Sequence, residues 1–172
     1  MRSTVSDGPP MLLSLKFIIA VFAALLLQET ILPAYLRDPF QPNLLVTIVV
    51  WLGLRKQSLL GGGVVVFLLG LLQDTFSGLY LGLNGFTFLV MYILLQSIAH
   101  RLYTDSRYLM ILVVFLATVG NGLLHLLLLL LFSAAPGIYA AIFPALLPQA
   151  LVNALAASII VTIPFSRSWV AQ

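Results

Sequence analysis

The chain has 172 residues, of which 62% are apolar and only 8% charged, with a mean hydropathy of +1.14. A soluble domain carries about 25% charged residues, so a water-facing surface all round is excluded and the composition is that of an integral membrane protein. The net charge of +3 calls for no nucleic acid, because Lys and Arg collect in cytoplasmic loops, and without cysteine there is neither a disulfide framework nor a thiolate metal site.

At about 20 residues per crossing the chain has room for five or six spans and no separate soluble domain. Residues 1–172 are expected to form one transmembrane domain behind a short cytoplasmic tail, residues 1–15. The first apolar segment runs from about Phe17 to Leu36. Arg2 and Lys16 precede it as in a secretion signal, but no small-x-small cleavage site follows. Gln28-Glu29-Thr30 then interrupts before apolar sequence resumes, so a retained span is expected. Pro33 should kink or end it. Glu29 falls about 18 Å along such a helix, past the midplane, where an unpaired carboxylate is costly. It must be protonated, paired, or near enough to the outer surface to reach water. An interfacial acid and a buried functional acid both remain open.

The second segment, roughly Asn43 to Leu54, is short for a full crossing, which leaves tilt, bilayer thinning or partial insertion as alternatives. A third runs from Leu59 to Gln73, a fourth from Leu81 to Ala99 and a fifth from Tyr108 to Phe132. Pro144 and Pro148 are read as opening the sixth, which continues to about Phe165, since proline is tolerated in a first helical turn. With six crossings and the N-terminus inside, Arg2, Lys16, Arg55, Lys56, Arg101, Arg107 and Arg167 all face the cytoplasm. Only Arg37, beside Asp38, lies outside. That asymmetry is the one the positive-inside rule predicts. Tyr35, Trp51, Tyr80, Tyr103, Tyr108 and Trp169 fall near span ends, where amphipathic rings prefer the interface.

The stretch from Gly70 to Asn84 is the most informative. It is a glycine-punctuated hinge with one acid, Asp74, which is expected to accept hydrogen bonds from backbone N–H groups around Ser77 to Leu79, as short acids do in turns. Asn121 with His125, and Gln149 with Asn153, are each four apart and lie along one helical face. Facing one another they would form a polar seam, structural glue at about 0.6 kcal/mol per bond. His125 lacks a second nearby His for metal binding, since His100 sits at the other end of the fourth span; a proton relay through Glu29 and His125 is conceivable. Gly61-Gly62-Gly63 and Gly70 place notches on one face of the third span, and Gly82, Gly85, Gly120 and Gly122 add others, marking close helix approach within the chain or to a partner. There is no nucleophile elbow, HExxH or P-loop, and no serine with a base at helical spacing, so no enzyme is expected and no cofactor.

Taken in order, Phe40-Gln41-Pro42-Asn43, the short segment ending in Trp51-Leu52-Gly53-Leu54, a basic turn, a glycine-rich third span, Gly70-x-x-x-Asp74, Ser77-Gly78, Leu81-Gly82 and Tyr92 resemble the rod shape-determining protein family MreD. A weaker echo lies around Val152-Asn153. The resemblance implies a non-enzymatic scaffold subunit of the bacterial elongation machinery, multi-pass in the cytoplasmic membrane with both termini inside. It would sit with the bitopic protein MreC and be linked to the actin homologue MreB, the polymerase RodA and a class B transpeptidase of peptidoglycan synthesis. It also implies a six-transmembrane-helix bundle similar to the substrate-binding subunits of energy-coupling-factor transporters. That likeness supplies the alternative function, a vitamin-binding membrane subunit. Asp74, Gly70, Gly63, Ser77, Gly78, Gly82, Pro42, Asn43, Glu29 and Asn153 are the candidate partner or structural residues. The Gly63–Gly70 face is the expected contact for a partner helix.

Overall fold

The computed structural model describes residues 10–37, 39–55, 59–77, 80–99, 107–132 and 138–162. All regular structure among them is helical. Helix α1, Pro10–Leu26, passes through a widened π turn, Leu27–Ile31, into a last α turn, Leu32–Tyr35. Then follow α2 (Leu44–Leu54), α3 (Leu59–Ser77), α4 (Leu83–Ala99), α5 (Arg107–Phe132) and α6 (Ile138–Thr162).

Four stretches are long and apolar enough to cross a bilayer: Phe17–Tyr35, Leu59–Phe76, Tyr108–Phe132 and Ile142–Ile160. The other two helices are apolar but shorter. Helix α2 has 11 residues, about 16 Å, and hydrocarbon is about 30 Å thick. It nevertheless forms the centre of the bundle. Leu45, Val46, Thr47, Val49, Val50, Leu52 and Gly53 are all buried, and the helix touches each of the other five. A helix apolar on every side is stable where protein surrounds it, and α2 meets that condition at 11 residues.

Helices α3 and α4 pack as one antiparallel pair and α5 and α6 as another. On α3 the sorting of residues reverses that of a soluble helix. Leu60, Val64, Leu68, Leu72 and Phe76, spaced four apart, are exposed, whereas Gly62, Gly63, Gly70, Gln73 and Asp74 are buried. Lipid solvates bulky apolar side chains, so small and polar residues are the ones that gain from facing protein.

Several expectations need correction. Helix α1 begins at Pro10, inside the stretch expected to be a tail. Helix α3 runs through Ser77, which is therefore the last helical residue and not part of a turn. Pro144 and Pro148 lie inside α6, which starts at Ile138. Each removes an intrahelical hydrogen bond, a loss tolerated where neighbouring helices re-satisfy the freed carbonyls. The residues Asp38, Lys56, Gly78, Leu79, His100, Arg101, Tyr103, Ser106, Arg167 and Trp169 lie outside the described set.

Candidate functional site

Two polar assemblies organise the half of the bundle that carries Asp74. The first begins in α1. Pro33 has no N–H, so in the π turn, where the Leu32 N–H reaches back to the Leu27 carbonyl, the Gln28 carbonyl loses the donor that position 33 would supply. The Gln41 side-chain amide donates to that carbonyl instead, at 2.5 Å. Gln28 is itself buried; its Oε1 accepts the Leu44 N–H at 2.9 Å and its Nε2 donates to Glu29 Oε1 at 3.2 Å. Glu29 is half-buried, between the two readings of it, with an amide partner. Where Pro33 was expected to kink or end the span, the helix has a π turn that closes at Ile31, two residues upstream, and the polar cluster that interrupts α1 is what the turn uses.

The chain then returns into the bundle, with Pro42 buried, and α2 starts among protein atoms. A helix start in such a place must have its free N–H groups satisfied. Asn43 is the N-cap, its Oδ1 accepting the Val46 N–H at 3.2 Å. The Asn43 N–H donates to Asn153 Oδ1 at 2.7 Å, and Asn153 Nδ2 donates to Thr118 Oγ1 at 3.1 Å. Thr118 closes the chain by donating to the Val114 carbonyl at 2.8 Å. Asn153 and Thr118 lie well inside α6 and α5, so the start of α2 is deep in the bundle and the helix runs from there to the Arg55 end. This re-entry explains why a helix so short still has both ends in order.

The expected seam between Asn121–His125 and Gln149–Asn153 is therefore displaced. Asn153 bonds to Thr118 and to the backbone of Asn43. Asn121 Oδ1 is buried with no hydrogen-bond partner among the described residues and lines a void of about 10 Å³ with Val46, Val50, Phe88 and Met91. His125 is half-buried on α5.

The second assembly is a latch between α3 and α4. The Asp74 side chain is 3% exposed. Its Oδ2 accepts the N–H groups of Gly82 at 2.8 Å and Gly85 at 3.3 Å. Its Oδ1 accepts the Asn84 N–H at 3.0 Å and Asn84 Nδ2 at 2.8 Å. Among the described residues one carboxylate thus receives four donors around the start of α4, where the helix dipole also favours negative charge. Asp74 was expected to accept from N–H groups around Ser77 to Leu79; Gly78 and Leu79 lie outside the described residues, and the donors described here are those of Gly82 to Gly85. Gly82 has φ +96°, a left-handed conformation that glycine adopts without strain, and it is this turn that aims its N–H back at Asp74.

Close contact between α3 and α4 makes the latch possible. A Cβ on Gly70 would lie 2.5 Å from the carbonyl oxygen of Asn84 and from the backbone of Gly85. Further along, Gly62 receives the Tyr92 hydroxyl, and Gly63 faces Leu89, with a Cβ there 3.3 Å from its Cδ1. Tyr92 is fully buried and its hydroxyl accepts from Gln96 Nε2 at 3.2 Å. The Gly63–Gly70 face, expected to meet a partner helix, is thus filled by α4 of the same chain. Beside the latch, Tyr80, Leu81, Leu83, Phe86, Leu128 and Phe132 border an open apolar groove of about 320 Å³.

Among the described residues no group of three or more His, Asp or Glu is placed to hold a metal ion. Helices as the regular structure of the described residues, four of the helical stretches long and apolar enough to cross a bilayer, together with buried polar side chains that serve helix starts, define a membrane protein. Residues 11–166 match the family model described as rod shape-determining protein MreD. The match covers nearly the whole chain, which belongs to that family, one of membrane proteins concerned with cell shape. No curated protein and no solved structure gave a match.

Proposed function

We propose that this chain is a non-enzymatic scaffold of the bacterial wall-elongation machinery. It lies in the cytoplasmic membrane, binds the single transmembrane helix of an MreC-like protein, and through it supports peptidoglycan synthesis by a RodA-like polymerase and a class B transpeptidase under an MreB-like cytoskeleton. The observation that carries this reading is the family match over residues 11–166. The packing supports a helix-on-helix mode of recognition. The notches at Gly62, Gly63 and Gly70 are filled by α4 of the same chain, which leaves the exposed apolar surface for a partner helix. The groove beside the latch, with Phe86 and Phe132 exposed at its edge, is the concave part of that surface.

The experiment is co-purification of the full chain with a tagged MreC-like protein, scored beside cell shape on depletion. Wild-type protein is expected to co-purify, and the double substitution Phe86→Ala, Phe132→Ala to reduce recovery of the partner while leaving the chain inserted. Intact recovery would move the contact off the groove. Failure of the wild type to co-purify, with normal shape on depletion and lost uptake of a vitamin, would replace the scaffold by a transporter subunit.

Orientation is the second expected outcome. The chain has no cysteine, so single substitutions report without background. Ser77→Cys should label with an impermeant thiol reagent in intact cells and Ser106→Cys should not, because seven of the eight Lys and Arg residues then face the cytoplasm. The reverse pattern would invert the topology.

A further inference from the structure

The end of the bundle away from Asp74 holds a second constellation. Trp51, on the last turn of α2, stacks on Phe17 of α1 with ring centroids 6.5 Å apart and planes 17° apart. The Arg55 guanidinium lies over the Trp51 ring, 3.9 Å from its centroid. The four-residue spacing of Trp51 and Arg55 puts them on one side of the helix end. The Arg55 backbone is held as well: its N–H donates to the Leu52 carbonyl at 3.3 Å and its carbonyl accepts from Gln96 Nε2 at 2.7 Å.

This cation is oriented and half-buried, and the two carboxylates among the described residues, Glu29 and Asp74, are both at the other end. Burial pushes the guanidinium below its ordinary pKa, yet arginine stays charged at neutral pH, so its charge is partly desolvated without a described counter-charge. Two of the candidate spans begin at Phe17 and Leu59; Phe17 stacks on Trp51 and Leu59 follows Arg55 by four residues, so Arg55 lies level with the starts of two apolar spans, where headgroups are expected. Ile18, Ile19, Leu59 and Leu60 near it are exposed. The neighbouring surface therefore suits acyl chains, not an acidic protein segment.

We propose that Arg55, seated on the Phe17–Trp51 platform, is a binding site for the phosphate of an anionic phospholipid headgroup. The contact with the ring uses the flat face of the guanidinium, and among the described residues no acceptor is shown for its N–H edge, which suits the two-pronged bonds that phosphate oxygens accept. Fixing that edge in advance reduces the ordering that binding would otherwise require.

The test is native mass spectrometry of the full chain released from vesicles of equal phosphatidylglycerol and phosphatidylcholine. Wild-type protein should retain phosphatidylglycerol over phosphatidylcholine by clearly more than the about fivefold that one basic group near an anionic membrane surface supplies by charge alone. Arg55→Gln should lose that preference. Arg55→Lys, which keeps the charge and loses the fork, should fall back to about that fivefold ratio and carries the test if the glutamine variant does not insert. An unchanged preference in either variant that inserts would overturn the site. Excess inorganic phosphate should leave the retained lipid in place; displacement by phosphate alone would show a site for the free anion and overturn the lipid assignment.

Discussion

Asp74→Leu should remove most of the folded protein from the membrane, and Asp74→Asn should remove clearly less. Leucine leaves all four donors of the latch, the N–H groups of Gly82, Asn84 and Gly85 and the Asn84 amide, without their acceptor. Hydrogen bonds inside membrane proteins average about 0.6 kcal/mol each, so four give roughly 2.4 kcal/mol as the low figure. Leaving a buried donor unsatisfied costs about 1–3 kcal/mol in other settings, and the N–H groups at a helix start have few other partners, so the true loss should exceed the low figure. Asparagine keeps one acceptor oxygen but points its NH₂ at two of the donors, which should retain about half of the effect. Denaturation of the purified variants in detergent, beside their level in the membrane, measures both. Equal losses for Asn and Leu would mean that the negative charge at the start of α4 matters and the count of acceptors does not. Wild-type stability in Asp74→Leu would dissolve the latch.

Gly70→Ala should be nearly as damaging, and Gly63→Ala should be mild. The added methyl at position 70 meets backbone atoms of Asn84 and Gly85 at 2.5 Å, and backbone cannot rotate away. Relief requires α3 and α4 to separate, and separation draws Asp74 from its donors. Overpacking of this kind typically costs about 1–3 kcal/mol, to which part of the latch is then added. At position 63 the neighbour is Leu89 Cδ1 at 3.3 Å, the far end of a side chain that can shift. Partner recovery in Gly70→Ala should fall only in proportion to the amount of folded chain. A variant that folds fully and fails only to bind its partner would restore the partner-facing reading of the glycine face.

The apolar content of the chain and its breaks at charged, glycine and proline residues were enough to assign a helical membrane protein and to bound its segments. The second and fifth were placed within a residue of α2 and α5. Asp74 was legible as an acid in need of donors because hydrocarbon offers none. The second segment was expected to open at about Asn43, and the structure makes Asn43 its cap. Periodicity could not say which glycines face inward. In a membrane chain the lipid side and the core side are both apolar, so the pattern that distinguishes them in a soluble helix is missing. Nor could it pair Asn43 with Asn153, 110 residues apart, show α2 re-entering the bundle, or set Phe17 under Trp51 and Arg55. Those depend on the depth and rotation of each helix, which are decided when glycine permits close approach and every buried donor has to find an acceptor.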